Sequence, residues 1–152
     1  MAHIRRTARV PYSADQMLGL VNDIAAYPVF LHWCQAARIE RSEGDSVDAA
    51  LDVGIKGIYR TIRTRNSTQR SADGSQASIR IEMIQGPLKR LRGAWRFSDV
   101  GQEACDVELS LEYETHRTPF GMLLRTLFDE IANSQLNAFI RRADALYGKD
   151  RS

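Results

Sequence analysis

The sequence predicts one α+β domain, a curved antiparallel β-sheet of about seven strands wrapped around a long C-terminal α-helix. Three observations predict it. Between Ile4 and Tyr113, apolar and polar residues alternate with period two in successive short segments. Turn-like clusters separate these segments by only a few residues, which favours antiparallel neighbours joined in a meander. From Thr118 to about Tyr147 the period lengthens to that of a helix. One sheet face reads apolar and needs a cover, and this helix is the only element large enough to supply it.

Taken in order, Ile4, Arg6, Ala8 and Val10 share one side of a first strand. Pro11 and Tyr12 turn the chain. Ser13, with Gln16 three residues later, forms a capping box for a helix. Met17, Leu20, Val21 and Ile24 give that helix one apolar face, and Pro28 ends it. Ala37 to Arg41 reads as a second strand, closed by Glu43-Gly44-Asp45. Val47 to Ile55 alternates cleanly, Gly57 turns, and Ile58 to Thr68 follows. Asp73-Gly74 is a hairpin signal leading into Ala77, Ile79, Ile81 and Met83. Gly86-Pro87 breaks that strand, and Leu91, Gly93, Trp95 and Phe97 form the next set. After Gly101, Cys105, Val107, Leu109, Leu111 and Tyr113 oppose Asp106, Glu108, Ser110, Glu112 and Glu114. Thr118 caps the last helix, with Pro119 in its first position. At about 1.5 Å per residue this helix reaches roughly 40 Å, enough to cross a sheet.

A chain of 152 residues suits a single domain, here spanning 1–152 with its core at about 3–147. The composition, 43% hydrophobic and 26% charged, is that of a soluble globular protein. No apolar run is long enough to cross a membrane, and MAHIRRTARV lacks the apolar stretch of a signal peptide. A cytoplasmic location follows as the expectation, with Cys34 and Cys105 as reduced thiols. Net charge is only +2, but it is segregated. From Lys56 to Arg96 there are ten basic residues and two acidic ones, whereas Phe97 to Glu114 holds six acidic residues and no basic one. The segregation has two readings, either neighbouring solvated faces that attract each other or a basic patch for RNA phosphate or a lipid surface. Arg63, Arg65, Lys89, Arg90 and Arg92 are the candidates for the patch. Arg60 falls on the other face with Ile58 and Ile62, where a buried polar site is expected.

Catalytic signals are sparse. His3, His32 and His116 make no metal-ligand spacing, and there is no phosphate-binding glycine loop or nucleophile elbow. His32 and Cys34 stand two apart, but no third group orients them as a nucleophile pair. No catalytic residue, metal or covalent cofactor is expected, and no DNA partner.

Three blocks carry a resemblance: VPYSADQMLGLVNDIAAYPVFLHWC (Val10 to Cys34), GPLKRLRGAWRF (Gly86 to Phe97) and EACDVELSLEYE (Glu103 to Glu114). In this order they resemble the coenzyme Q-binding START-like family of the polyketide cyclase/dehydrase-like superfamily, over roughly His3 to Tyr147. The family includes bacterial ribosome-association toxins. The resemblance implies a helix-grip fold with two short helices after the first strand. It also implies a non-enzymatic function, the binding of ubiquinone or a similar long-chain quinone in support of respiration, at the periphery of the inner membrane. The alternative it implies is a toxin, paired with an antitoxin, that binds the large ribosomal subunit and blocks subunit association and translation initiation. Relatives usually carry proline where this chain has His32 and phenylalanine where it has Leu88.

A sheet closed over a helix encloses a tapered space suited to apolar ligands. Its expected walls are Phe30, Leu31, Trp33, Ile81, Met83, Trp95, Phe97, Leu124, Leu127, Phe128 and Ile131. Asn133 and Gln135 sit midway along the last helix, and whichever faces inward could hydrogen-bond a quinone carbonyl. In the loop Gly86 to Arg92, Leu88 is expected to meet acyl chains while Lys89 and Arg90 meet phosphates.

Overall fold

Every period-two segment becomes a strand. A computed structural model of the chain describes residues 1–148. It contains β1 (Ala2–Val10), α1 (Ala14–Asn22), a 3-10 turn (Ile24–Ala26), α2 (Tyr27–Phe30), β2 (Cys34–Glu43), β3 (Ser46–Ile55), β4 (Ile58–Arg70), β5 (Gln76–Gln85), β6 (Arg90–Val100), β7 (Ala104–Glu114) and α3 (Pro119–Tyr147). The seven strands form one antiparallel sheet in the order β1-β7-β6-β5-β4-β3-β2. The helical segment after β1 carries the chain to the opposite edge, and from β2 onward each strand pairs with its successor.

Local chemistry accounts for the element ends. The Ser13 hydroxyl accepts from the Gln16 amide at 3.1 Å, and the Gln16 side chain accepts from the Ser13 amide at 2.9 Å. The box thus satisfies two N–H groups that no helical carbonyl reaches. Thr118 caps α3 in the same way through Gly121 N–H at 2.9 Å. Lys56 and Gly57 both have positive φ, 51° and 81°, and join Ile55 to Ile58 by a two-residue turn whose twist matches the strands. Pro28 does not end the first helix. That helix stops at Asn22, and Pro28 sits in the first turn of α2, where a missing N–H costs nothing.

The core lies between the inner sheet face and α3. Trp95 stacks on Phe97 at 6.0 Å, and Phe139 from α3 meets Trp95 edge-on at 5.1 Å. Phe139 also takes Tyr27 and Phe30 edge-on, at 5.4 and 5.2 Å. These contacts tie α2, β6 and α3 into one aromatic cluster, and α1 packs against β5, β6, β7 and α3.

Candidate functional site

Between the sheet and α3 lies an apolar cavity of about 110 Å³. Tyr27 and Trp33 close one side. Leu51, Val53, Ile62, Ile81, Leu91, Trp95, Leu111 and Tyr113 rise from the strands, and Phe128, Ile131, Ala132 and Gln135 descend from α3. A cavity of about 150 Å³ with similar walls accommodates benzene, so this one as it stands is somewhat smaller than one ring needs. Val53, Phe128 and Ile131 also border a void of about 10 Å³, together with Ile55, Ile58, Arg60, Leu124 and Leu127. That void, with room for about one water, forms a narrow neck between the cavity and the β3–β4 turn.

Of the eleven expected wall residues, Trp33, Ile81, Trp95, Phe128 and Ile131 line the cavity, and Leu124 and Leu127 line the neck. The other four lie elsewhere. Leu31 and Phe97 are fully packed core residues. Phe30 belongs to the aromatic cluster, with the Arg142 guanidinium 5.3 Å from its ring centre. Met83 lies against Gly86, where an added Cβ would come within 2.7 Å of its sulfur.

Three polar side chains reach this apolar wall: Thr64 and Asn66 from β4 and Gln135 from α3. The Trp33 indole N–H donates to Gln135 Oε1 at 3.2 Å, which orients the amide. Asn66 Oδ1 is buried without a hydrogen-bond partner among the described residues. A buried, unsatisfied acceptor is costly, and such groups are concentrated at sites that take a ligand or water. Asn133 faces outward, where its side chain accepts from Arg6 and donates to the Asp129 carbonyl. Thr64 and Asn66 escaped the sequence reading because inward polar residues look like breaks in a strand's alternation. Tyr113 is buried and donates to Asp129, and burial pushes its phenol well above the usual range. The Tyr27 hydroxyl, bonded to the Val21 carbonyl, is pushed up for the same reason.

On the outer sheet face the segregated charges stand side by side and pair. β6 and β7 are adjacent, and Arg92 meets Glu112 at 2.8 Å while Arg96 meets Glu108 at 3.9 Å. Arg65 and Arg41 converge on Asp48 at 2.9 and 3.0 Å and hold its carboxyl well below the usual range. Arg63 meets Glu40 at 2.9 Å, and Lys89 meets Glu114 at 3.8 Å. Of the five expected patch residues, only Arg90 lacks a carboxylate within ion-pair distance among the described residues. Two further expectations are corrected. Leu88 is buried in the core and cannot meet acyl chains, because the Gly86-Pro87 turn tucks it inward. Arg60 is exposed at the neck, its guanidinium 4.6 Å from the Phe120 ring centre, rather than buried at a polar site.

His32 points to solvent while Cys34 is buried, so the two do not meet as a pair. Burial pushes the Cys34 thiol up to about 11 and the Cys105 thiol up to about 12, away from thiolate chemistry at neutral pH. Both cysteines are free. Among the described residues no helix is long and apolar enough to cross a membrane.

Comparison with known proteins locates this architecture. The chain is 40% identical over 147 residues to the ribosome association toxin RatA of Escherichia coli K12, covering 97% of this chain and 90% of that protein. It is 23% identical over 142 residues to the mitochondrial coenzyme Q-binding protein COQ10 homolog B of Xenopus laevis, covering 91% of this chain and 56% of that one. The solution structure of the 18 kDa protein CC1736 from Caulobacter crescentus superposes with a TM-score of 0.70 at 32% identity, covering 97% and 99% of the two chains. The model of one family, described as polyketide cyclase / dehydrase and lipid transport, matches residues 10–140. With a START-like sheet gripping a long helix, and with that match over most of its length, the chain belongs to the polyketide cyclase / dehydrase and lipid transport family.

Proposed function

We propose that this protein binds a hydrophobic lipid without transforming it, and that the ligand is ubiquinone or another long-chain quinone. The carrying observation is the apolar cavity with Gln135, Asn66 and Thr64 in its wall. Its volume is below the about 150 Å³ that holds benzene and the neck has room for about one water, so the walls part when the head group enters and the isoprenoid tail trails past Ile58 and Leu124. The Gln135 amide nitrogen, left over once Trp33 takes the oxygen, donates to a quinone carbonyl. A relative named as a coenzyme Q-binding protein supports the choice of ligand. The chain works without a metal or covalent cofactor, in the cytoplasm and at the periphery of the inner membrane, in support of respiration.

Both tryptophans of the chain, Trp33 and Trp95, line the cavity, so a bound quinone quenches nearly all the tryptophan emission. A short-tailed ubiquinone analogue titrated into the protein should quench saturably. Gln135→Leu, which removes one hydrogen bond worth about 1 kcal/mol, should weaken binding roughly five-fold. Absence of saturable quenching in the unsubstituted protein refutes the reading.

A second reading has its own support, the 40% identity to a ribosome association toxin over nearly the whole chain. In it the protein binds the large ribosomal subunit, blocks subunit association and initiation, and is restrained by an antitoxin. It would use the charged outer face, so the two readings can hold together. Reversing Arg63, Arg65 and Arg92 to glutamate should then abolish co-sedimentation with large subunits, and retained co-sedimentation rejects this surface.

A further inference from the structure

One end of the molecule combines exposed apolar side chains, an excess of cations among the described residues and the neck of the cavity. The strand registers define this end: the start of β1, the end of β7, the start of β6, the end of β5 and the β3–β4 turn all lie there, with the first turn of α3 between them. Eight large apolar side chains stand exposed among the described residues, and five are at this end: Met1, Tyr59, Ile84, Met122 and Leu123. Met122 is 71% exposed and Tyr59 65%. Burying such groups in hydrocarbon is favourable, and leaving five together in water is costly.

Cations outnumber carboxylates here. Lys56, Lys89 and Arg125 pair with Glu130, Glu114 and Asp129, while Arg60, Arg90 and Arg117 have no carboxylate within ion-pair distance among the described residues. Arg60 lies over Phe120 beside the neck, and Arg117 lines a surface groove with Met122, Lys89, Arg125 and one carboxylate, Glu114. A surface of apolar tips with an excess of cations matches a bilayer whose lipids carry negative head groups, with apolar tips among the acyl chains and cations at the phosphates. It matches an RNA backbone poorly, because phosphates and riboses give Met122 and Leu123 nothing to bury against.

We infer that this end docks on an anionic bilayer, with Met122, Leu123 and Tyr59 entering the interface and Arg60, Arg90 and Arg117 on lipid phosphates. The inference rests on the lipid-binding reading for its purpose: docking aligns the neck with the membrane, so that a tail passes from acyl chains to cavity without crossing water.

The test is co-sedimentation of the full chain with vesicles of phosphatidylcholine alone or with one-third phosphatidylglycerol. The protein should bind the anionic vesicles at least ten-fold more tightly. Met122→Ser/Leu123→Ser should weaken that binding about ten-fold, as should Arg60→Gln/Arg117→Gln. Val29→Ser, an exposed apolar residue elsewhere, and Arg80→Gln on the outer face should leave it unchanged. All these positions are exposed, so the variants should fold, and circular dichroism checks that they do. Lack of binding to anionic vesicles, equal loss in the control variants, or full binding by Met122→Ser/Leu123→Ser overturns the inference. Quenching by the short-tailed quinone separates the two readings. Vesicle binding without quenching removes the quinone and keeps the docking surface, whereas quenching without vesicle binding does the reverse.

Discussion

Filling the cavity should stabilise the protein and silence it. Ala132 lies on α3 in the cavity wall, opposite the strands. Ala132→Leu places three more carbons into about 110 Å³ of space. Burying each is worth about 0.8 kcal/mol, a gross gain of roughly 2.4 kcal/mol. Close contacts with Trp95 or Leu111 offset part of it, since overpacking costs about 1–3 kcal/mol. A net gain of about 1 kcal/mol remains, which at this chain length raises Tm by roughly 3 °C. Leucine is also a good helix former, so the helix itself gives little back. Thermal unfolding followed by circular dichroism measures the gain, and quinone quenching of Trp33 and Trp95 measures the loss. Higher Tm with abolished quenching is the signature of a cavity kept open for a ligand. Undiminished quenching would show that the ligand sits elsewhere. A Tm lowered by more than about 5 °C would show that the space is not available.

Two further outcomes test the frame around the site. Asp48→Asn removes the negative charge and one of the two acceptor oxygens shared by Arg41 and Arg65, so the variant should unfold at lower urea than the parent at pH 7; because the folded carboxyl titrates well below its ordinary value of 3.8, the stability it supplies is full above that value and fades as pH falls below it, and the two urea midpoints should converge in acid. Gly121→Ala should sharply destabilise the start of α3, because a Cβ there would stand 1.9 Å from the His116 carbonyl oxygen; an unchanged Tm would show that the Thr118 cap and its preceding loop shift at little cost.

Much of the fold could be read before the structure because its patterns are local. The alternation in Val47 to Ile55 and in Cys105 to Tyr113 specifies both the strand and its buried face, and Ser13 with Gln16 specifies a helix start. The site was legible only in part. Trp33, Trp95 and Ile131 are large, apolar and correctly phased, yet so are Leu31 and Phe97, which are solid core. What separates lining from filling is how the sheet and α3 come together, a property of the assembled layers. Gln135 could be named but not oriented, because residues 133 and 135 straddle the edge of the helical stripe. The basic stretch could be read as a run of charge but not with its partners, for a physical reason. A run of arginines in sequence becomes a column on one strand, and the acidic run that follows becomes the next column, so the charges cancel across the β6–β7 ladder. Of the docking end only the Gly86 to Arg92 loop could be read, because the other residues come from separate segments that the fold brings together.

The central claim is that the cavity holds a quinone. The most direct measurement is gentle purification of the protein from a respiring bacterial host, followed by organic extraction and mass spectrometry of the lipid that comes with it. The account predicts a long-chain quinone near one per protein, depleted in Ala132→Leu purified alongside. Protein that emerges empty, and stays empty after incubation with quinone-loaded anionic vesicles, would contradict it and leave the ribosome as the site of action.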